Sequence, residues 1–297
     1  MSRKTRDWSV RSQAPIRRLT HPTVCAAAME TSEREVIMTR AVSIGALIAI
    51  PPFAAALGYG TPAQADDSCA ICPFGFTAAL TNCVESIGVG LAPTANVQAY
   101  VPSEFTLASG GASTTPMVVR TSRCEGISFG QDVPLPVVVV QVGAVIVPPD
   151  GTGNIDNFTF WYYTTNLPLA LHLREAGVRA QFVPDIEYDY SPASTAFSVT
   201  VPYPGFPAFA VSGTVVPSYD ASGSFESLWW TNLASGSVAL ITNVPVIDIG
   251  SANLTLATAA DDPLGELFGS GTVTFPVTQQ FNFFASATLT ASIPASP

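Results

Sequence analysis

A nearly unbroken apolar run constrains this chain more than any other feature: Pro136-Val-Val-Val-Val-Gln-Val-Gly-Ala-Val-Ile-Val147. Continuous β-branched residues of this kind fit a strand covered on both faces. The chain turns at Pro148-Pro-Asp-Gly-Thr-Gly-Asn154 and returns through Phe158-Thr-Phe-Trp-Tyr-Tyr163. Period-two alternation then puts Phe158, Phe160 and Tyr162 on a core face. Thr159, Trp161, Tyr163 and Thr165 fall on an amphipathic face suited to a barrel lumen, a pocket or a sheet interface. A short helix follows, with Asn166 as cap, Pro168 in the first turn, Leu169, Leu173 and Ala176 along one face, and Gly177 as the left-handed stop. Next comes an acidic strand, Asp185-Ile-Glu-Tyr-Asp-Tyr190.

The same order of punctuation recurs about 95 residues later. Ser237–Pro245 and Ile247–Thr258 precede a second capped helix, Asp262-Pro-Leu-Gly-Glu-Leu-Phe-Gly269, and a strand from Thr272, which reads as a diverged internal duplication. Elsewhere, a helix is expected around Phe76–Glu85, and strands over Val97–Val101, Pro116–Thr121, Ala196–Val201 and Phe209–Val216. In the last strand, Phe281, Phe283, Ala285, Ala287, Leu289, Ala291 and Ile293 share one side. That segment is long enough to cross an outer membrane, but the other strands are shorter, Pro-broken or apolar on both faces. The expected fold is therefore mainly β: one antiparallel barrel or cone, or a curved two-sheet domain, with two or three short helices.

Charge divides the chain. Residues 1–65 hold eight of the twelve basic residues, whereas 66–297 hold only Arg120, Arg123, Arg174 and Arg179, no lysine, and 18 of the 22 carboxylates. The resulting net charge of −14 repels phosphate backbones, which excludes nucleic acid as a partner. Met38-Thr-Arg40, the apolar Ala41–Ile50 and Phe53–Leu57, and Ala63-Gln-Ala65 have the layout of a secretory signal with cleavage after Ala65. Residues 1–37 then read as an over-extended start, 38–65 as the signal peptide, 66–96 as a cysteine-containing segment and 97–297 as the barrel domain. Export agrees with an even number of cysteines, Cys69, Cys72, Cys83 and Cys124, in the remaining chain. Three pairings are open; a Cys83–Cys124 bridge would contribute ~4 kcal/mol in the chain-entropy model.

No catalytic or metal motif accompanies these features. His172 is the sole histidine after the leader, it sits mid-helix, and no Gly-x-Ser-x-Gly elbow is present. Asp150, Thr152, Asn154 and Asp156 alternate like a calcium loop but lack its glycine and terminal glutamate. No cofactor is implied. The best site candidates are the carboxylates of Asp185, Glu187 and Asp189, which share one strand face. Directed outward they are a solvated face; directed inward beside Arg174 or Arg179 they could hold a polar ligand or serve as paired acids. Trp229-Trp230 and Trp161 with Tyr163 could line an apolar pocket.

Arg120-Thr-Ser-Arg-Cys-Glu-Gly126, Gln141-Val-Gly143, Pro149–Phe158 and Pro168-Leu-Ala-Leu-His-Leu-Arg-Glu-Ala-Gly-Val178, in this order of elements, resemble secreted bacterial proteins of the acetoacetate-decarboxylase-like β-barrel group over about residues 97–293. The resemblance implies a cone-like barrel with an internal cavity. Decarboxylases of that group use a buried lysine as a Schiff-base nucleophile; residues 66–297 have none, so that activity does not carry over. The leading expectation is a secreted monomer that binds a small apolar or amphipathic molecule without catalysis. A carboxylate-based hydrolase or lyase, and an envelope-associated structural or pore-forming protein, are the alternatives. N-terminal sequencing of protein exported by its host is expected to begin at Asp66; a chain beginning within the first 65 residues contradicts the signal assignment.

Overall fold

The computed structural model describes residues 75–149, 151–152, 155–202, 207–219, 223–233 and 236–292. The leader, Cys69, Cys72 and the turn residues Asp150 and Asn154 lie outside the described residues. In chain order the elements begin with β1 (Phe76–Pro93), α1 (Thr94–Gln98), β2 (Thr114–Phe129), β3 (Leu135–Val145), β4 (Ile155–Thr164), α2 (Leu167–Glu175), β5 (Ala180–Phe182) and β6 (Glu187–Tyr190). They continue with β7 (Ala196–Val201), β8 (Phe209–Val216), β9 (Phe225–Leu233), β10 (Gly236–Val244), β11 (Asp248–Thr258), α3 (Pro263–Phe268), β12 (Thr272–Thr274) and β13 (Thr278–Ser292).

Seven strands close on themselves in the order β1-β2-β3-β4-β9-β10-β13, with β13 pairing back onto β1 from Phe76↔Ala291 to Val89↔Thr278. Neighbours in this ring are antiparallel except β4 and β9, which run parallel over Ile155–Phe158 and Ser227–Trp230. Beyond β13 the sheet continues through β11, β8, β7 and β6; β12 pairs with β11 and β5 with β4. Closure gives each of the seven ring strands a partner on both sides, while the outer sheet ends on the short β6 with Glu187 and Asp189 exposed, a charged guard against further pairing.

Each ring strand contributes to two cores. One fills the barrel: Leu80, Val139, Tyr162, Trp229, Leu240 and Phe284 are among its buried side chains. Leu169 and Leu173 of α2, with Ala176 at its C-cap, join it at the end where β1 begins and β2 ends, so α2 plugs that end. The second core lies outside the barrel wall, where Val119, Val140, Tyr163 and Phe281 meet Phe197, Val199, Val211 and Leu254 of the outer sheet. This double coverage is why the 136–147 run has almost no polar positions.

The exception, Gln141, marks a charged level inside the barrel. Arg120 on β2 donates from Nε to Glu85 Oε2 on β1 at 2.5 Å and from Nη1 to Gln141 Oε1 on β3 at 2.8 Å. It also reaches across the lumen to Thr242 Oγ1 on β10 at 3.4 Å, and Asn282 of β13 donates to Glu85 Oε1 at 3.4 Å. Arg120 and Glu85 are both buried. The expected internal cavity is thus occupied at this level by side chains from five of the seven strands.

Several expectations are corrected by tertiary context. Phe76–Glu85 is the first half of β1 rather than a helix, because β2 and β13 flank it on both sides. Val97–Val101 lies largely in and after the short α1, and only Val97 of that helix is buried. On β4 a bulge makes Phe160 an extra residue, since Val142 pairs with Trp161 but Gly143 with Thr159. The bulge inverts the faces, so Phe158 and Tyr163 belong to the outer core and Tyr162 to the lumen. Only glycine fits at 143, where a Cβ would lie 2.2 Å from the Phe158 carbonyl oxygen. On β13 the buried set changes parity between Phe284 and Ala287, and Ala285 is exposed. The helix punctuation does recur: Asn166 and Asp262 cap their helices, and Gly177 and Gly269 have φ of 90° and 71°. The pairing around it does not: β3 and β4 form a hairpin, while β10 and β11 each pair with β13 instead of with each other.

Of the four expected half-cystines, Cys83 and Cys124 are joined, and they are direct register partners of β1 and β2. Removing one member of the lumen pair leaves a buried charge. Glu85→Ala is expected to destabilise the protein by about 3–5 kcal/mol. The double replacement Glu85→Leu with Arg120→Met is expected to recover most of that loss in urea unfolding.

Candidate ligand-binding sites

A recess of about 670 Å³ lies outside the barrel wall. Val84, Arg123, Phe281 and Phe283 form its floor on β1, β2 and β13. Tyr190 at the end of β6, Pro192 beyond it, and Pro217 to Tyr219 after β8 form its walls. At one rim Asn82 donates to Glu125 Oε2 at 2.8 Å. Arg123 is tied to the fold: its Nη1 and Nη2 donate to the carbonyl oxygens of Tyr188 and Tyr190, both at 3.3 Å, and its guanidinium lies 5.2 Å from the Tyr188 ring centre. Tyr190 stacks obliquely on Phe281 at 4.6 Å. The surface is therefore chiefly aromatic and proline-walled, with a guanidinium and an amide–carboxylate pair at its border.

A second, smaller site sits where β4 changes partner. Beyond Phe158 the strand leaves β9, and from Tyr162 it pairs in parallel with β5, so Thr159 to Trp161 have no strand neighbour on that side. Two recesses of about 250 and 350 Å³ meet there, both lined by Phe160 and Arg179. Tyr100, Thr159 and Asn232 line one; Trp161 and Arg174 line the other.

The sequence candidates separate accordingly. Trp161 and Arg174 come together in the smaller site. Tyr163 is buried in the outer core, where its hydroxyl donates to the Pro207 carbonyl oxygen at 3.4 Å. Asp185, Glu187 and Asp189 are all exposed, with Ile186 and Tyr190 turned inward, so the acidic face is solvated. His172 lies on the outer side of α2, 4.3 Å between ring centres from Phe129. Trp229 fills the lumen while Trp230 faces the outer core and donates to Asp156. Among the described residues, no cluster of three or more His, Cys, Asp or Glu could hold a metal ion. Sequence reasoning missed the residues of the large recess. Phe281, Phe283, Tyr190 and Tyr219 are far apart in the chain, and no local pattern signals their convergence.

Several solved structures resemble this one. That of an acetoacetate decarboxylase matches with a TM-score of 0.51 at 10% identity, covering 73% of this chain and 88% of its own. An acetoacetate decarboxylase-like enzyme from Sphingomonas wittichii RW1 gives 0.48 at 13% identity over 75% and 94% of the two chains. The acetoacetate decarboxylase of Legionella pneumophila gives 0.46 at 10% over 73% and 87%. The chain has an acetoacetate-decarboxylase-like fold. No protein-family model matches the sequence, and no curated protein matches it.

Burial raises the phenol pKa of Tyr162, Tyr163 and Tyr188 well above 10, with Arg120 opposing the effect at Tyr162 and Asp262 adding to it at Tyr163. In the unfolded chain these phenols ionise near pH 10 while the folded chain keeps them neutral. Stability is therefore whole below that pH and falls as pH rises beyond it. Thermal unfolding temperatures are expected to drop steeply above about pH 10, with tyrosinate absorbance from these residues appearing only with unfolding.

Proposed function

We propose that this chain is an exported, non-catalytic β-barrel protein that binds a small, largely apolar amphipathic molecule in the recess between β1, β2, β13 and the segments after β6 and β8. The single observation that carries the reading is that recess: about 670 Å³, within the ~300–1,000 Å³ of small-molecule sites, with aromatic and proline walls and few polar groups. Support also comes from what occupies the barrel. Its interior is packed with Tyr162, Trp229, Phe284 and the Arg120–Glu85 level, which leaves the outer recess as the larger receptive surface.

The fold neighbours include enzymes, so a lyase of this fold is the competing reading. It lacks the amine that imine chemistry needs, because residues 66–297 contain no lysine. Its other acid–base candidates, Asp185, Glu187 and Asp189, face solvent, where nothing holds a substrate against them. A lipid-spanning barrel is disfavoured by geometry: the ring has an odd number of strands, and the outer faces of β1 to β4 pack on a second protein layer.

Titration of the full-length protein with the neutral dye N-phenyl-1-naphthylamine tests the proposal. Saturable fluorescence enhancement at one site is expected. Phe283→Asp, a half-buried floor residue, should weaken it by about tenfold or more, since burying an aromatic is worth ~1.5–3 kcal/mol. Dye binding that is absent, or unchanged in a folded Phe283→Asp variant, overturns the reading.

A further inference from the structure

We infer that the fork where β4 leaves β9 for β5 is a second binding site, specific for a small aromatic carboxylate. It shares no lining residue with the large recess and does not rest on that site being a ligand site.

The first ground is the arrangement of positive charge. Residues 66–297 contain four cationic side chains against 18 carboxylates. Arg120 is consumed inside the barrel by Glu85, and Arg123 by the Tyr188 and Tyr190 carbonyls. The remaining two, Arg174 and Arg179, both line the fork. Neither forms an ion pair with a carboxylate among the described residues. Arg174 is held in place by its Nε, which donates to the Ala180 carbonyl oxygen at 2.7 Å, leaving both Nη groups to donate elsewhere. Of the carboxylates on the opposite bank, Glu104 accepts from the Asn232 amide, and Glu266 lies close enough to Tyr100 to add to the rise that burial causes in its phenol pKa. In so acidic a chain, two guanidiniums without carboxylate partners on one depression form an anion-selective spot. Their planar forks match a carboxylate.

The second ground is the aromatic wall. Phe160, pushed out by the β4 bulge, has its ring centre 5.5 Å from Tyr100 and 5.9 Å from Trp161. Phe160 and Trp161 are only half-buried, so ring surface is left open beside Arg179. A flat ring carrying a carboxylate would stack on this wall while its charge met the guanidiniums. The volumes of about 250 and 350 Å³ restrict the guest to something of about single-ring size.

The third ground is a polar atom on the stretch of β4 that has lost its strand neighbour. Thr159 lines one recess, and its Oγ1 is buried without a hydrogen-bond partner in the structure. A buried unpaired hydroxyl is ordinarily satisfied by a bound molecule or water. It favours a guest with a polar function over a purely apolar one.

The test is isothermal titration of the full-length protein with phenylacetate and, separately, with uncharged 2-phenylethanol. Phenylacetate is expected to bind one to one and at least about tenfold more tightly than the alcohol. Arg179→Ala should weaken it by about tenfold or more, with Arg179→Lys in between, because lysine keeps the charge but loses the fork. Arg179 is exposed, so its replacement leaves the fold intact, which circular dichroism verifies. Phe283→Asp should leave phenylacetate binding unchanged, and Arg179→Ala should leave N-phenyl-1-naphthylamine binding unchanged; these crossed controls separate the two sites. Equal affinity for acid and alcohol, an Arg179→Ala variant that binds as well as the parent, or no phenylacetate binding at all overturns the inference.

Discussion

The ion pair of Arg120 with Glu85 is the interaction around which the barrel is arranged. Two charges removed from water are stable only when their remaining hydrogen-bonding groups are met in good geometry, and here the partners come from β3, β10 and β13. A strand slipped by one residue would turn its contribution to the outside and leave a charge stranded. The pair thus adds little net energy compared with a well-packed apolar substitute, but it penalises wrong registers heavily. The Cys83–Cys124 bridge joins β1 and β2 two and four residues away from Glu85 and Arg120, locking the same register covalently.

From that fixed level the two recesses follow as opposite consequences of a closed sheet. The large recess exists because the sheet runs on past β13 and curls back over the wall, held there by Arg123 and by the Tyr188 hydroxyl, which donates to the Val84 carbonyl oxygen. The smaller site exists because closure at β4 and β9 is brief. Parallel pairing lasts four residues on each strand, the bulge at Phe160 bends β4 away, and β5 takes over the vacated edge. One recess is made by excess sheet, the other by a gap in it.

Much of the architecture was legible in the sequence where local chemistry decides it. The Val137–Val147 run, the capped helices at Asn166 and Asp262, and the left-handed Gly177 and Gly269 each carry their own physical instruction. Misreadings came where neighbours decide. Phe76–Glu85 has spacings that suit either a helix or a strand, and only the flanking β2 and β13 select the strand. The bulge at Phe160 depends on the missing Cβ of Gly143 in another strand, so no periodicity within β4 could show it. Among the site candidates, Trp161 and Arg174 do meet, but through β5 and the helix stop rather than through the acidic strand, whose carboxylates face water. One available signal went unused: Gln141, a lone polar residue in an apolar strand, marked the buried level where Arg120 needed an acceptor.

The pairing of β1 with β13 has a consequence for how the molecule comes into being. Phe76 meets Ala291, so the barrel is sealed by partners more than two hundred positions apart in the chain. Contacts of such long range are entropically late and slow to form. A nascent chain therefore carries β1 with one side unsatisfied until β13 appears. Until then the chain has a sticky edge that its host must keep from pairing with another copy.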